Sequence, residues 1–290
     1  MPSSPKPEVR GFYHEPTGSI GYVAADPATG RAVIVDPVLD YDEKAARTST
    51  QSADAMLDYI RERQLTVDWV LDTHPHADHL SAAVYLKDKL GAPAGIGEKI
   101  TEVQKIWRDI YNLPDFPCDG SQWDRLFADG ATFAIGALSV RVMLTPGHTP
   151  ASVTYIIGDA AFVNDTLFQL DSGTARTDFP GGNAETMYSS IMTILELPDE
   201  TRLFTGHDYG AGGSRKPAWE STVAEQKQHN THFRDKPSCG QFAEIRRARD
   251  RKLEMPRQIL HALQFNLRGG RLPPPEDNGR VYLKIPVNTF

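Results

Sequence analysis

The stretch "LDTHPHADHLSA", from Leu71 to Ala82, places four side chains of metal-binding type within six residues. His74, His76, Asp78 and His79 come directly after the β-rich run "VDWVLDT". Burying so many ionisable groups costs free energy unless each of them has a partner. A metal ion is a partner that neutral imidazoles and a carboxylate can share. We therefore interpret this stretch as a metal-binding loop at the end of a β-strand.

Three further side chains that can bind a metal follow β-rich runs later in the chain. His148 lies in the turn sequence "TPGHTP", Asp165 follows "FVN", and His207 lies in "GHDYG". Loops at strand ends are where a rigid sheet presents functional side chains. We expect all four strand ends to meet at one edge of a pair of sheets. Imidazole and carboxylate accept zinc, iron and manganese, so the residues alone leave the metal open.

The composition of the 290 residues is that of an ordinary globular chain, with 40% hydrophobic and 24% charged residues. The net charge of −7 disfavours a nucleic-acid-binding protein, which usually has a basic excess. Cys118 and Cys239 are too few for a disulfide framework, and we expect reduced thiols. The first residues lack the apolar core of a signal peptide, and no apolar run approaches the roughly 20 residues that span a bilayer. These features predict a cytoplasmic protein without a nucleic-acid or membrane partner.

The hydrophobic pattern predicts strands and helices in alternation after an unstructured lead at residues 1–7. Strands are predicted at residues 20–25, 32–35, 67–73, 139–144, 153–157 and 202–205. Helices are predicted at residues 52–63, 81–90, 98–111, 185–197 and 219–230. Ser52 is expected to cap the first helix, Asp129 and Gly130 to form a hairpin turn, and residues 281–288 to form a last strand.

The order "THPHADH", "GHT", an Asp after a strand and "GHDY" resembles the metallo-β-lactamase superfamily. These motifs extend from Thr73 to Tyr209, and the flanking strands extend the resemblance over most of the chain. The resemblance implies an α/β fold, an αββα sandwich of two mixed sheets flanked by helices, with the site at the sheet edge. We expect a catalytic domain at residues 8–233 and a C-terminal extension, residues 234–290, packed on it.

The superfamily uses these residues in two ways, and the sequence permits both. A dinuclear zinc hydrolase would bind one metal through His74, His76 and His148. It would bind a second metal through Asp78, His79 and His207, with Asp165 bridging the two. The other arrangement is a single Fe(II) held by His74, His148 and Asp165, a triad that leaves open positions for oxygen and a substrate. The remaining four side chains would then orient the ligands and move protons.

Several blocks resemble the persulfide dioxygenase branch of the superfamily. They are "VDPVLD" (residues 35–40), "THPHADH", "ARTDFPGG" (175–182), "ETMYSSI" (185–191), "GHDY" and "STVAEQK" (221–227). Asn164 departs from the branch, which commonly has a glycine before the ligand aspartate. The resemblance implies oxidation of glutathione persulfide by O2 to sulfite and glutathione, with one Fe(II) per chain.

The resemblance also implies substrate contacts. Arg176 would bind a carboxylate of glutathione, Tyr209 would bind a ligand beside the iron, and Lys227 lies where the family often has a basic residue for glutathione. The alternatives are an ion pair of Arg176 with Asp178, packing of Tyr209 against the sheet edge, and an exposed, solvated Lys227. The basic run at residues 244–252, "EIRRARDRK", is interpreted mainly as a solvated helix face, with a place near the substrate mouth as the alternative.

The nearest rival function is a dinuclear zinc thioesterase of the glyoxalase II type, which cleaves S-acylglutathione. That enzyme would share the fold, the glutathione and all seven ligands, but it would need two metals and no oxygen. A metal-binding module without catalysis is a rival from another class. The sequence leaves the oligomeric state open, although the C-terminal tail offers surface for a homodimer contact.

Overall fold

The computed structural model describes residues 6–289, so residues 1–5 of the predicted lead lie outside the described part. Two six-stranded sheets face each other. The first sheet contains, in spatial order, β1 (Glu8–His14), β2 (Ser19–Ala25), β3 (Arg31–Val35), β6 (Thr66–Leu71), β8 (Ala94–Gly97) and β9 (Arg125–Phe127). The second contains β10 (Thr132–Ile135), β11 (Leu138–Leu144), β12 (Val153–Ile157), β13 (Ala160–Asn164), β14 (Arg202–Thr205) and β15 (Glu220–Thr222). A small third sheet contains β5 (Arg47–Ser49), β4 (Val38–Asp42) and β7 (Leu80–Ser81).

The two large sheets bury a common hydrophobic core between them. Tyr22 of the first sheet packs edge-on against Phe162 of the second, with ring centroids 5.3 Å apart. Alternate side chains of β11 and β12 point into this layer, as the period of two residues in their sequences predicts. Burial of these large side chains fixes the two sheets against each other, and so fixes the strand ends that face the same edge.

Helices cover the outer faces of both sheets, which confirms the predicted αββα sandwich. The helices on the first sheet are α1 (Gln51–Glu62), α2 (Ala83–Leu90), α3 (Ile100–Ile110) and α8 (Ile259–Asn266). Those on the second are α4 (Ala184–Leu195), α6 (Val223–His229) and α7 (Cys239–Asp250). The single turn α5 (Gly210–Gly213) lies beside the strand-end loops. The segment predicted as an extension supplies α7 and α8, so it contributes to both outer layers.

Two sequence expectations about turns and caps are wrong. Ser52 lies inside α1 rather than at its cap, because the helix begins one residue earlier and the Ser52 hydroxyl donates to Asp40 instead. Asp129 and Gly130 do not form a hairpin turn. They connect β9 to β10, and these two strands belong to different sheets. Gly130 has a φ of +73°, which an Asp-Gly pair supplies in any tight turn, whether or not the flanking strands pair.

Two predicted elements also differ at the C-terminal side. The helix predicted at 219–230 begins only at Val223, because residues 220–222 pair with β14 as strand β15. The pattern Thr222 to Glu225 is a capping box that marks this start. Residues 281–288 form no strand. Instead of a neighbouring strand, the side chain of Gln264 binds the backbone of Lys284, at 2.7 and 2.8 Å.

Candidate metal centre

The four predicted strand ends meet at one edge of the sandwich, as the sequence predicts. The loop of residues 72–79 follows β6, His148 follows β11, Asp165 follows β13 and His207 follows β14. The ligand atoms of His74, His148 and Asp165 all lie within 4.8 Å of one another. A metal ion needs this spacing, since its bonds to nitrogen and oxygen are about 2.0–2.2 Å long.

Thr73 fixes the ring of His74. Thr73 donates its hydroxyl hydrogen to Asp36 Oδ2, 2.7 Å away, so its oxygen is free to accept from His74 Nδ1, at 3.0 Å. Burial lowers the pKa of His74 well below its usual value, and the ring is therefore neutral. The hydrogen stays on Nδ1, and the lone pair of Nε2 is available to a metal.

A backbone carbonyl fixes His148 in the same way. Its Nδ1 donates to the carbonyl oxygen of Arg176 at 2.8 Å. Its Nε2 therefore faces the site and lies 3.7 Å from Asp165 Oδ2. A carbonyl acceptor behind a ligand imidazole sets the tautomer and holds the ring orientation.

Asp165 is aimed at the site by an unusual backbone conformation of the residue before it. Asn164 has a φ of +45°, a left-handed conformation in which asparagine is enriched among the non-glycine residues. Its side-chain amide donates to the carbonyl of Val153 at 2.7 Å, which holds the turn in place. The departure from glycine at this position therefore preserves the turn.

His207 lies between two carboxylates. Its Nδ1 is 2.6 Å from Asp165 and its Nε2 is 2.6 Å from Asp78. Burial opposes a charged ring, but the two carboxylates outweigh it and hold the pKa of His207 well above its usual value. The Ser19 hydroxyl donates to Asp78 at 2.7 Å and lies 3.2 Å from His79 Nδ1. Asp78, His79 and His207 are thus bound to one another and to Ser19.

Several buried imidazole nitrogens near the triad have no hydrogen-bond partner among residues 6–289. They are His74 Nε2, His76 Nδ1 and His79 Nε2. His76 Nε2 lies 3.0 Å from Asp36 Oδ1. A buried polar atom without a partner costs about 1–3 kcal/mol. Ring nitrogens left open in one place fit a metal centre, in which their lone pairs would bind an ion. All seven predicted ligand residues lie in this cluster.

Two buried aspartates beneath the loop were missed by sequence reasoning. Asp36, which has a φ of +49°, binds both the backbone and the hydroxyl of Thr73 at 2.7 Å. Asp72 accepts from Ser81 at 2.8 Å. Burial raises the pKa of each carboxyl group to about 7. In the sequence, Asp36 stands out only as part of the block "VDPVLD", whereas in the structure Thr73 connects it to His74.

A cavity of about 620 Å³ opens beside the ligand cluster, within the usual range for a small-molecule site. His148, Asp165 and His207 line it, as do Arg176 and Tyr209, the two residues that the resemblance implies as substrate contacts. The ring of Tyr209 stacks on that of His207 at 6.0 Å and is 59% exposed. Lys227 does not line this cavity in the described part of the chain. It is exposed and forms an ion pair of 2.6 Å with Asp199.

The C-terminal helix α7 supplies a wall of this cavity that the sequence interpretation largely missed. Arg246 and Arg249, from the run interpreted mainly as a solvated face, line the cavity together with Leu253, Glu254 and Pro256. The alternative, a place near the substrate mouth, therefore holds for part of this run. The spacing of the basic residues in this run did not indicate a binding site, because basic residues on an amphipathic helix are usually solvated.

Only one of the three cavity arginines is free of a carboxylate partner. Arg176 binds Asp178 through two nitrogens, at 2.7 and 2.9 Å, which matches the alternative considered for it. Arg246 is buried and binds Asp250 at 2.7 Å. Within residues 6–289, the guanidinium of Arg249 has no ion pair, and its nearest polar partner is the ring of His232 at 3.3 Å. Arg249 is therefore the cation best placed to meet an anionic group in the cavity.

None of the helices within residues 6–289 has both the length and the apolar character needed to cross a membrane.

The family model and the relatives that match this sequence are all consistent with one protein superfamily. The sequence model described as "Metallo-beta-lactamase superfamily" matches residues 17–207. A beta-lactamase hydrolase-like protein of Xylella fastidiosa is 59% identical over 98% of this chain, but this chain spans only 65% of that relative's length. Glyoxylase B2 of Dictyostelium discoideum is 46% identical over 99% of both chains.

Two more distant matches carry the name of the persulfide dioxygenase ETHE1. The mitochondrial persulfide dioxygenase ETHE1 of Homo sapiens is 30% identical over 86% of this chain and 83% of its own. The crystal structure of ETHE1 from Myxococcus xanthus superposes with a TM-score of 0.72 at 30% identity. It covers 91% of this chain and all of the other. Together with the ligand cluster at the edge of two sheets, these matches establish that the chain belongs to the metallo-β-lactamase superfamily.

Proposed function

We propose that the protein is an Fe(II)-dependent persulfide dioxygenase. Glutathione persulfide, O2 and water would give glutathione, sulfite and two protons. One observation carries the proposal. Among residues 6–289, the metal-facing Nε2 atoms of His74 and His148 make no other hydrogen bond, whereas His207 already uses both ring nitrogens, on Asp165 and on Asp78. This arrangement favours one metal bound by two imidazoles and the carboxylate of Asp165.

His74, His148 and Asp165 would hold the Fe(II), which would supply open positions for a persulfide sulfur and O2. The chain's own groups would orient that centre. Arg176 O and Thr73 Oγ1 hold the two imidazoles. Protonated His207 binds Asp165 Oδ1, and that hydrogen bond leaves Oδ2, the oxygen nearer to His148, for the metal. His207 and Asp78 are the nearest groups that could carry a released proton towards the cavity.

The cavity suits an anionic, tripeptide-sized substrate. Its volume of about 620 Å³ is ample for glutathione, and Phe168, Phe179 and Leu253 give it apolar surface. Arg249 is the first candidate for binding a carboxylate, because no acidic side chain of the described residues pairs with it. Arg176 is the second, since a carboxylate of the substrate would have to replace Asp178. Tyr209 places its ring over His207 at the cavity and is the candidate for contact with the reacting sulfur.

The relatives support this proposal to different degrees. The human relative and the bacterial structure of the same name are both 30% identical to this chain over most of its length. The name of the human relative states a persulfide dioxygenase, and we transfer that activity here as a proposal. The Xylella relative is longer than this chain and its name states only a hydrolase-like protein.

The second candidate is a dinuclear zinc thioesterase acting on S-acylglutathione. It is favoured by the presence of all seven ligands of a two-metal site and by the 46% identity to a relative named Glyoxylase B2. A zinc-bound hydroxide would supply the nucleophile. In this case Asp78, His79 and His207 would have to exchange their hydrogen bonds for a second ion.

A metal count combined with two assays separates the two candidates. Metal-free protein is loaded without oxygen, either with Fe(II) or with Zn(II) in excess, and the metal that stays bound per chain is measured. The proposal expects one Fe(II) per chain, and an Asp78→Asn variant that keeps this ion. Two tightly bound zinc ions, together with thioester hydrolysis that is lost in Asp78→Asn, would favour the thioesterase instead.

A further inference from the structure

The side chain of Asn266 links the C-terminal segment to the metal-binding loop. Asn266 is the last residue of α8 and is 2% exposed. Its amide nitrogen donates to the carbonyl of His76 at 2.8 Å and to that of His79 at 2.7 Å. Its amide oxygen accepts from the backbone nitrogen of Ser81 at 2.8 Å. One side chain thus binds the loop at three points, although 187 residues separate Asn266 from His79.

These bonds match what a primary amide offers. The amide group has two N–H donors and a carbonyl acceptor, and here both donors and the acceptor are used. A carboxylate of the same shape could still accept from Ser81, but it could not donate to either carbonyl. The position therefore requires an amide rather than any polar group of similar size.

Packing holds Asn266 in place. On one side of α8, Ala262 and Phe265 pack in the hydrophobic cluster of α1 and α2. On the other, Ile259 and Leu263 pack in the cluster of α3. The hydroxyl of Tyr111 also donates to the carbonyl of Leu260 at 3.0 Å. The amide is therefore presented by a rigid helix, so its hydrogen bonds can hold a loop that carries ionisable side chains.

We propose that Asn266 is a positioning residue of the metal centre and that the segment 234–290 is required for metal affinity. The amide fixes the backbone on either side of Ala77 and Asp78, and so sets where His76, Asp78 and His79 lie relative to His74. Loss of such supporting bonds around metal ligands typically lowers metal affinity by about 10- to 100-fold. His74, a ligand in both the one-metal and the two-metal arrangement, lies on the same loop two residues before His76, so a shift of this loop would weaken metal binding in either case.

The decisive comparison is between Asn266→Asp and a matched control on the same helix. Gln264 is also buried, and its amide donates to Leu260 O at 2.6 Å and to Lys284 O at 2.7 Å, away from the metal loop. Gln264→Glu makes the same amide-to-acid change two residues earlier. For both variants we would measure the dissociation constants of Fe(II) and Co(II) against a chromophoric chelator, the visible spectrum of the Co(II) form, and the melting temperature of the metal-free protein.

We expect Asn266→Asp to raise the metal dissociation constant by about 10- to 100-fold and to alter the Co(II) spectrum. Gln264→Glu should keep both within about twofold, even where it lowers the melting temperature as much. Asn266→Ala, which removes the same bonds without adding a charge, provides the test if Asn266→Asp does not fold, and it should show the same loss. Wild-type metal affinity in the Asn266 variants, or an equal loss in Gln264→Glu, would overturn the proposal.

Discussion

Replacement of Asp250 by alanine should destabilise the protein strongly. Asp250 forms an ion pair with Arg246, through Oδ1 at 2.7 and 2.9 Å, and both side chains are at most 3% exposed. Its other oxygen accepts from the backbone and the hydroxyl of Thr177, at 3.1 and 3.0 Å. Burial lowers the pKa of Arg246 while Asp250 opposes that shift, so the guanidinium depends on this carboxylate.

The expected loss of stability follows from the positive charge of Arg246, which stays buried when Asp250 is removed. Removing one partner of a buried ion pair costs about 3–5 kcal/mol, because the other charge stays buried without compensation. At about 2 °C per kcal/mol for a chain of this size, the melting temperature should fall by about 6–10 °C. The double variant Arg246→Met, Asp250→Ala removes both charges and should recover part of this loss.

The assay is urea unfolding of the metal-free proteins, which keeps metal binding out of the measurement. A cost below about 1 kcal/mol for Asp250→Ala, or a double variant less stable than the single one, would refute the argument. A second effect should appear in metal binding. Asp250 holds Thr177, and the neighbouring carbonyl of Arg176 orients His148, so the metal dissociation constant should also rise in Asp250→Ala.

Three further predictions concern the site itself. His148→Ala should abolish binding of Fe(II) and with it O2 uptake, since the triad loses one of three ligands; retained iron by elemental analysis would exclude this ligand. Arg249→Ala should raise KM for glutathione persulfide by about 10-fold or more, with a smaller change in kcat, because it removes a charge-assisted contact with the substrate. The control variant Lys227→Ala should leave KM and kcat unchanged. Equal effects of the two variants would contradict the assignment of the free cavity cation. Removal of the metal by a chelator should lower the melting temperature, since metal at 100 times its dissociation constant stabilises the folded state by about 2.7 kcal/mol; an unchanged melting temperature in scanning calorimetry would contradict a metal centre.

The clustering of the candidate ligands was predictable from sequence because the residue pattern is local. His74 and its neighbours follow a strand within a few residues, and His148, Asp165 and His207 do the same on other strands. Strand ends on the same side of a sandwich meet at one edge, so residue type and strand position together predicted the cluster. The αββα fold followed from the resemblance that these same residues carry.

The supporting residues were not predictable because their roles depend on distant partners. Arg249 and Asn266 lie on α7 and α8, and in the sequence both resemble ordinary polar positions of amphipathic helices. Only the packing of these helices on the two outer layers brings them to the cavity and to the metal loop. The position of Asp36 behind His74 is visible only in the structure, through its hydrogen bond with Thr73.

The predicted hairpin turn and the predicted last strand were wrong because strand pairing depends on tertiary contacts that the local sequence does not specify. Gly130 provided the expected positive φ, but β9 and β10 pair with different neighbours, so no hairpin forms. The alternating run at residues 281–288 has strand character, yet the side chain of Gln264 pairs with Lys284 and no strand lies beside it among the described residues. Local sequence specifies a turn or an extended segment, whereas its partner is set by the rest of the fold.

Oxygen uptake tests the proposed function most directly. Protein loaded with Fe(II) without oxygen, and shown to retain it, is mixed with glutathione persulfide in aerated buffer while O2 and sulfite are both measured. The account predicts rapid uptake with one sulfite formed for each O2 consumed. No uptake by protein that still holds its iron, together with hydrolysis of S-acylglutathione by the zinc form, would contradict it.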